Sequence, residues 1–183
     1  VQAEWAGLDV TQKMGTVTVN NLQGDVPGVG GLFWAHAEEI DKIKTAGSPL
    51  SVTKKMFVSN GSGVMEVKQG STLHIGDKVT VQLTIHADDN LDYVHLKDGR
   101  ATCFEPLDVL SGYEWEGGLS YYKSTRDAAT DFFFSNIPAG THVVEYDVRV
   151  NNKGVFFDGI ATVESMYAPE FSGHSSANQL KVK

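Results

Sequence analysis

A single cysteine, Cys103, stands in 183 residues. It excludes an internal disulfide framework and a cysteine-based metal cluster. Between Thr102 and Phe104 it reads as a buried thiol behaving as a small hydrophobe. Basic residues are also scarce: 15 Lys and Arg against 23 Asp and Glu give a net charge of −8, with no Lys/Arg cluster. Binding to nucleic acid through phosphate neutralisation is excluded on that ground. No apolar run approaches the roughly 20 residues that cross a bilayer, so direct membrane insertion is not expected, and no signal peptide is visible. The chain opens on Val1 inside a strand-like pattern and reads as a piece of something longer. Long helical periodicity is missing as well. What the chain does have is 41% hydrophobic content, enough for a real core, and turn residues at short intervals.

Those intervals point to an all-β fold. Residues 16–19 alternate as a half-buried strand does. Residues 25–31, rich in Gly and Pro, read as a loop, and Leu32, Phe33 and Trp34 enter a strand. Residues 35–43 favour a short helix. Gly47 and Pro49 break any element, so a domain boundary is expected there, with residues 1–50 on one side and 51–183 on the other. Residues 52–58 alternate, and the Asn60-Gly61-Ser62-Gly63 loop suits a hairpin. Val79, Val81, Leu83 and Ile85 point one way, with Thr80, Gln82 and Thr84 opposite. Residues 91–97, 103–110 and 131–134 are further strands, and 111–129 form a longer aromatic stretch. In residues 142–150, Val144, Tyr146, Val148 and Val150 share a face. Residues 159–171 begin as a strand and end in Met166-Tyr167-Ala168-Pro169-Glu170-Phe171. Pro169 cannot donate to a ladder, which places Met166 and Tyr167 at the last paired positions, near the surface. Residues 180–183 close the chain as a strand. Short strands with turns between them predict an antiparallel β-sandwich.

Chemistry is thin along this scaffold. Glu114 and Glu116 flank Trp115, but their spacing puts them on one strand face as a solvated edge. The histidines His36, His74, His86, His95, His142 and His174 form no ligand motif. Ser111, Ser124 and Ser135 lack the context of a nucleophile, and Gly28, Gly30 and Gly31 lack the Lys-Ser/Thr of a phosphate loop. Asp88, Asp89, Asn90 and Asp92 could offer oxygen ligands to Ca²⁺, and a plain turn explains them as well. No cofactor and no catalytic activity are expected. The residues alone describe a binding or structural β-module. One version is a secreted carbohydrate-binding or adhesive module, if Tyr113, Trp115, Tyr121 and Tyr122 line one exposed groove.

An ordered set of phrases adds to this. It runs V-P-G-V-G-G-L-F-W ending at Trp34, L-S-V-T-K-K-M-F from Leu50, I-G-D-K-V-T-V from Ile75, and Y-V-H-L-K-D-G-R-A-T-C-F-E-P from Tyr93. It continues with S-G-Y-E-W-E-G-G-L-S-Y-Y-K-S-T-R-D from Ser111, I-P-A-G-T-H-V-V-E-Y from Ile137 and M-Y-A-P-E-F from Met166. Together these resemble the C-terminal end of bacterial alpha-macroglobulins, especially the large Bacteroides-type members. The resemblance implies a last macroglobulin-like, immunoglobulin-like sandwich, preceded in residues 1–50 by the returning part of a CUB-like β domain with exposed strand edges. It implies a non-catalytic module of a broad-spectrum endopeptidase inhibitor of the cell envelope, periplasmic or surface-exposed and commonly a lipoprotein. In that family a Cys-Gln thioester captures proteases, and the C-terminal domain packs on the thioester domain and keeps the bond dry. The implied partners are the thioester domain and other domains of the same full-length chain, and target proteases through the whole protein. Met166 is the implied shielding residue, with Tyr167 beside it. The C-x-E-Q motif and the bait region of the family do not occur here, so this stretch cannot trap a protease by itself.

Overall fold

The computed structural model describes residues 3–22, 24, 26–35, 37–60 and 63–183. In chain order the strands are β1 (Ala46–Gly47), β2 (Leu50–Asn60), β3 (Gly63–Glu66), β4 (Thr72–Leu73) and β5 (Lys78–Ala87). Next come β6 (Leu91–Gly99), β7 (Phe104–Pro106), β8 (Gly112–Glu116), β9 (Leu119–Thr125) and β10 (Ala129–Ile137). The last are β11 (Gly140–Val150), β12 (Gly154–Phe157), β13 (Ala161–Ser165), β14 (Ser172–His174) and β15 (Gln179–Val182). One sheet has the order β1-β14-β13-β6-β10-β9-β8, and the second β3-β2-β5-β11-β7. A small third sheet, β12-β15-β4, contains a parallel pair, β15 with β4. The two larger sheets thus form an antiparallel β-sandwich.

Side-chain alternation decides which face of each strand is buried. In β5, Val79, Val81, Leu83 and Ile85 are all within 2% of full burial, and β11 sets Val148, Tyr146 and Val144 opposite the first three. Phe132, Phe134 and Leu96 complete the core from the other sheet. Each such side chain contributes about 1.5–3 kcal/mol by leaving water. Turn chemistry sets the connections. Gly117 and Gly118, at φ 57° and 82°, join β8 to β9 in a two-residue hairpin of the left-handed type, so residues 111–129 divide into two strands. β2 and β3 pair up to Asn60 and Gly63 as the hairpin reading expects, while Gly61 and Ser62 lie outside the described residues. Of residues 103–110 only β7 is strand; Pro106 carries no N–H, and β7 is an edge strand of its sheet.

The N-terminal part differs from its sequence expectation. By compactness the chain divides into Val1–Ala37 and Glu38–Lys183. β1, within residues 45–50, pairs with β14 inside the second. Within the first unit the described residues form only 3₁₀ turns, Gly7–Asp9 and Gln12–Gly15. Val17 and Val19, which alternate as in a strand, are exposed, as are Leu32, Phe33 and Trp34. Among the described residues no strand pairs with residues 16–19, and an unpaired strand is not stable in water. The helix expected over residues 35–43 reduces to one 3₁₀ turn, Ile40–Lys42, because so short a run cannot repay nucleation. Asp25 and His36 lie outside the described residues.

Burial holds Cys103 as the sequence suggests: it is fully enclosed, and desolvation pushes its thiol up to about 11. A thiolate is the reactive form. The folded protein should therefore leave a disulfide reagent such as Ellman's essentially unreacted at neutral pH and release one thiol equivalent per chain on unfolding. Prompt reaction of the native protein would show that the side chain is accessible.

Between the sheets sits a cluster of buried polar groups. The Lys54 side chain points inward from β2 among Val52 and Met56. Its ammonium donates to Asp98 Oδ1 at 2.7 Å, to the Gly99 carbonyl at 3.0 Å and to the Asp158 carbonyl at 2.6 Å. Three acceptors match its three N–H groups. Tyr146 O–H donates to Asp98 Oδ2 at 2.6 Å. Lys54 and Tyr146 come from one sheet and Asp98 from the other, so the cluster ties the two together. Asp158 is buried too. Burial raises its carboxyl above the ordinary 3.8, against the pull of Lys54 and of the Asn178 backbone and side-chain amides that bond it. Beside this cluster the chain crosses itself: Gly99 N–H donates to the Ile160 carbonyl, and Gly159 lies directly against Gly99. That crossing sets the start of β13, and hence where the strand ends.

Candidate functional site

β13 runs antiparallel to β6, and its last Cα partners are Ser165 and Val94. Met166 adds one more bond, its N–H donating to the Tyr93 carbonyl at 2.8 Å. Tyr167 lies beyond the ladder, so the pairing ends one residue earlier than the proline alone suggests. A tight turn then closes on itself. Ala168 N–H donates to the Ser165 carbonyl, Phe171 N–H to the Ala168 carbonyl, and Ser165 N–H to the Phe171 carbonyl at 2.9 Å. Pro169, without an N–H, fits the open side of this turn. Phe171 packs against the core and anchors the turn from below.

The turn therefore holds two apolar side chains outward on a rigid base. Met166 is 53% exposed and Tyr167 79%. Tyr93 joins them at 52%: its ring meets that of Tyr167 edge-on, with centroids 5.2 Å apart. Tyr93 has φ 53°, the one left-handed non-glycine backbone among the described residues. For an L-residue that conformation costs about 1–2 kcal/mol. No sequence signal marks Tyr93; its neighbours read as an ordinary strand.

The other candidates resolve into structural contacts. Glu114 and Glu116 are not a solvated edge. They turn toward the Tyr121 hydroxyl, which lies 3.3 and 3.0 Å from them, and Glu114 also pairs with Lys123, as does Asp108 at 2.6 Å. Burial first, then Glu116, drives the Tyr121 phenol far above its usual value. The four rings Tyr113, Trp115, Tyr121 and Tyr122 do not line one groove. Tyr121 is buried against Phe132 and Phe134, whereas Tyr113 and Trp115 face solvent, because successive strand residues point to opposite faces. In the Asp88–Asp92 turn, Asp88 lies 3.2 Å from His86, Asn90 accepts from the Ala139 N–H, and Asp92 accepts from Asn136. Among the described residues no group of three or more His, Cys, Asp or Glu side chains is placed to hold a metal. His95 stacks on Phe133 with centroids 4.7 Å apart and meets Asp131 at 2.9 Å, at the side of a shallow depression of about 450 Å³. No helix among the described residues is long and apolar enough to cross a membrane.

The family described as Bacterial Alpha-2-macroglobulin MG10 domain matches residues 50–170. Among solved structures, a Salmonella alpha-2-macroglobulin reacted with methylamine superposes with a TM-score of 0.62 at 19% identity, covering 77% of this chain and 10% of that one. The Escherichia coli alpha-2-macroglobulin activated by porcine elastase gives 0.63 at 17%, covering 77% and 14%. At such identities these likenesses speak for the fold. A curated Dictyostelium discoideum protein, circularly permutated Ras protein 2, is 27% identical over 135 residues, 74% of this chain and 3% of its own length. The chain thus spans only a small part of the proteins it matches.

Proposed function

The chain belongs to the bacterial alpha-2-macroglobulin family and carries its MG10 domain, and from that premise we propose that its Met166–Tyr167 turn is an interdomain contact that shields a thioester. The reading makes the chain a non-catalytic C-terminal module of a broad-spectrum endopeptidase inhibitor in the bacterial cell envelope. Its partners are the thioester domain and the other domains of the full-length protein, and proteases meet it only through the whole inhibitor. The observation that carries the proposal is a methionine and a tyrosine held out in water by a turn whose base is locked to β6 and the core. Exposed apolar side chains on rigid supports mark contact sites. A thioether is flexible and polarisable, suited to close over a reactive bond at a surface that later separates. The relatives support the same use: one of them reacts with methylamine and another is activated by a protease. Residues 1–50 are proposed as the returning part of a CUB-like β domain. Leu8, Leu22, Val29 and Phe33 stand almost fully exposed there, side chains that a completed domain would cover.

The test belongs in the full-length parent. Met166→Gly should speed spontaneous thiol release and methylamine incorporation by about tenfold, the effect of some 1.4 kcal/mol on a barrier. Rates equal to those of the wild type would remove the shielding role.

A further inference from the structure

Tyr93 carries a left-handed backbone, and a side chain held in that conformation persists only where its surroundings over-determine it. If β6 needed nothing but a turn at this point, glycine would supply it without strain. The ring must then be what is retained. One contact holds the ring, which lies against that of Tyr167 at 86°, while the Tyr93 carbonyl accepts the Met166 N–H at 2.8 Å. The position is also where β6 stops pairing with β13, at Val94, and goes on beside β10 alone to Leu91.

We propose that Tyr93 is a positioning residue which sets Met166 and Tyr167 as one preformed surface for the partner domain. The inference rests on reading those two residues as an interdomain contact. The backbone bond holds the root of Met166, and the ring contact limits the rotamers of Tyr167. Side chains ordered before docking lose less freedom when the partner arrives. Tyr93, Met166 and Tyr167 are all at least half exposed, so it is Tyr93, through its ring and its carbonyl, that meets Tyr167 and the Met166 backbone here.

Oxidative footprinting of the full-length protein, read on the Met166 peptide by mass spectrometry, tests this. Met56, 2% exposed in the core, serves as the internal marker of an intact fold. In the wild type Met166 should oxidise well below its rate in the urea-unfolded protein. Tyr93→Gly removes the ring and relieves the backbone, so it should raise Met166 oxidation about threefold or more, within the range that single residues transmit to a neighbouring site. Met56 should stay protected, and Tyr93→Phe should match the wild type. Met166 oxidation unchanged in Tyr93→Gly, with Met56 protected, overturns the role of Tyr93 and leaves the contact standing. A wild-type Met166 as reactive as in the unfolded protein overturns the contact itself, and this inference with it. Should Tyr93→Gly expose Met56, Tyr93→Asn, which tolerates the same backbone without the ring, decides by the same reading.

Discussion

Lys54→Met should destabilise the sandwich by about 3–5 kcal/mol, the usual cost of stripping one partner from a buried ion pair. In a domain of this size that is a fall in Tm of roughly 6–20 °C. The Lys54 and Asp98 side chains are 3% and 0% exposed, so neither can turn to water when the other is lost. Without the ammonium, the Asp98 carboxylate keeps the Tyr146 hydroxyl as its one side-chain partner among the described residues, and the carbonyls of Gly99 and Asp158 lose their shared donor. Methionine fills the space of the lysine stem, which separates the charge effect from a cavity effect. Asp98→Leu alone should cost a similar amount, by leaving the ammonium unpaired. The double variant should recover much of the loss, since an apolar replacement of a whole buried pair is often close to neutral. Thermal melts of the two single variants and the double complete the cycle. A loss under about 1 kcal/mol in Lys54→Met, the level of an exposed pair, would show that water reaches the cluster.

Gly159→Ala should cost about 3 kcal/mol or more. Two effects combine. The backbone at φ 78° disfavours any side chain, and a Cβ there would lie 2.2 Å from the Gly99 oxygen and 2.5 Å from its carbonyl carbon. The first effect costs about 1 kcal/mol or more, and forcing atoms into a filled site adds about 1–3 kcal/mol. The obstructing atoms are backbone at the end of β6, held by the Gly99–Ile160 bond and by Lys54, so they cannot step aside cheaply. Gly118→Ala is the control: φ is 82°, yet no atom lies within 4 Å of its Cβ position. It should lose only the conformational part. Equal losses at the two positions, measured by denaturant melts, would mean that the close crossing of Gly99 and Gly159 relaxes freely. Because Gly159 and Lys54 share the Gly99 carbonyl, their losses should not add.

Both predictions concern residues that alternation hides. Lys54 shares the face of Val52 and Met56 by alternation; what the pattern could not reveal was that this face is inward for a lysine, with a carboxylate waiting across the sheets, 44 positions away in Asp98. Tyr93 shows the same limit. A strand-like run contains it, and only the convergence of β6, β13 and the Ser165–Phe171 turn makes its backbone unusual. Reading residues 111–129 as one aromatic stretch passed over the hairpin at Gly117 and Gly118, although two adjacent glycines supply the left-handed turn whatever surrounds them. The N-terminal residues go the other way: 16–19 alternate as strands do, yet a strand exists only when another chain segment completes its hydrogen bonds.

By itself the sequence determined what depends on neighbours along the chain: the all-β class, the shared apolar faces of β5 and β11, the buried thiol of Cys103, and an end to strand pairing just before Pro169. Tertiary structure alone decided which carboxylate neutralises Lys54, which of the aromatic rings face water, and that Tyr93 stands behind Met166 and Tyr167. Local pattern and propensity act over a few residues and can be read in one dimension. Charge pairing, ring contacts and backbone crossings join residues far apart in the chain, and they come into being only when the sheets close.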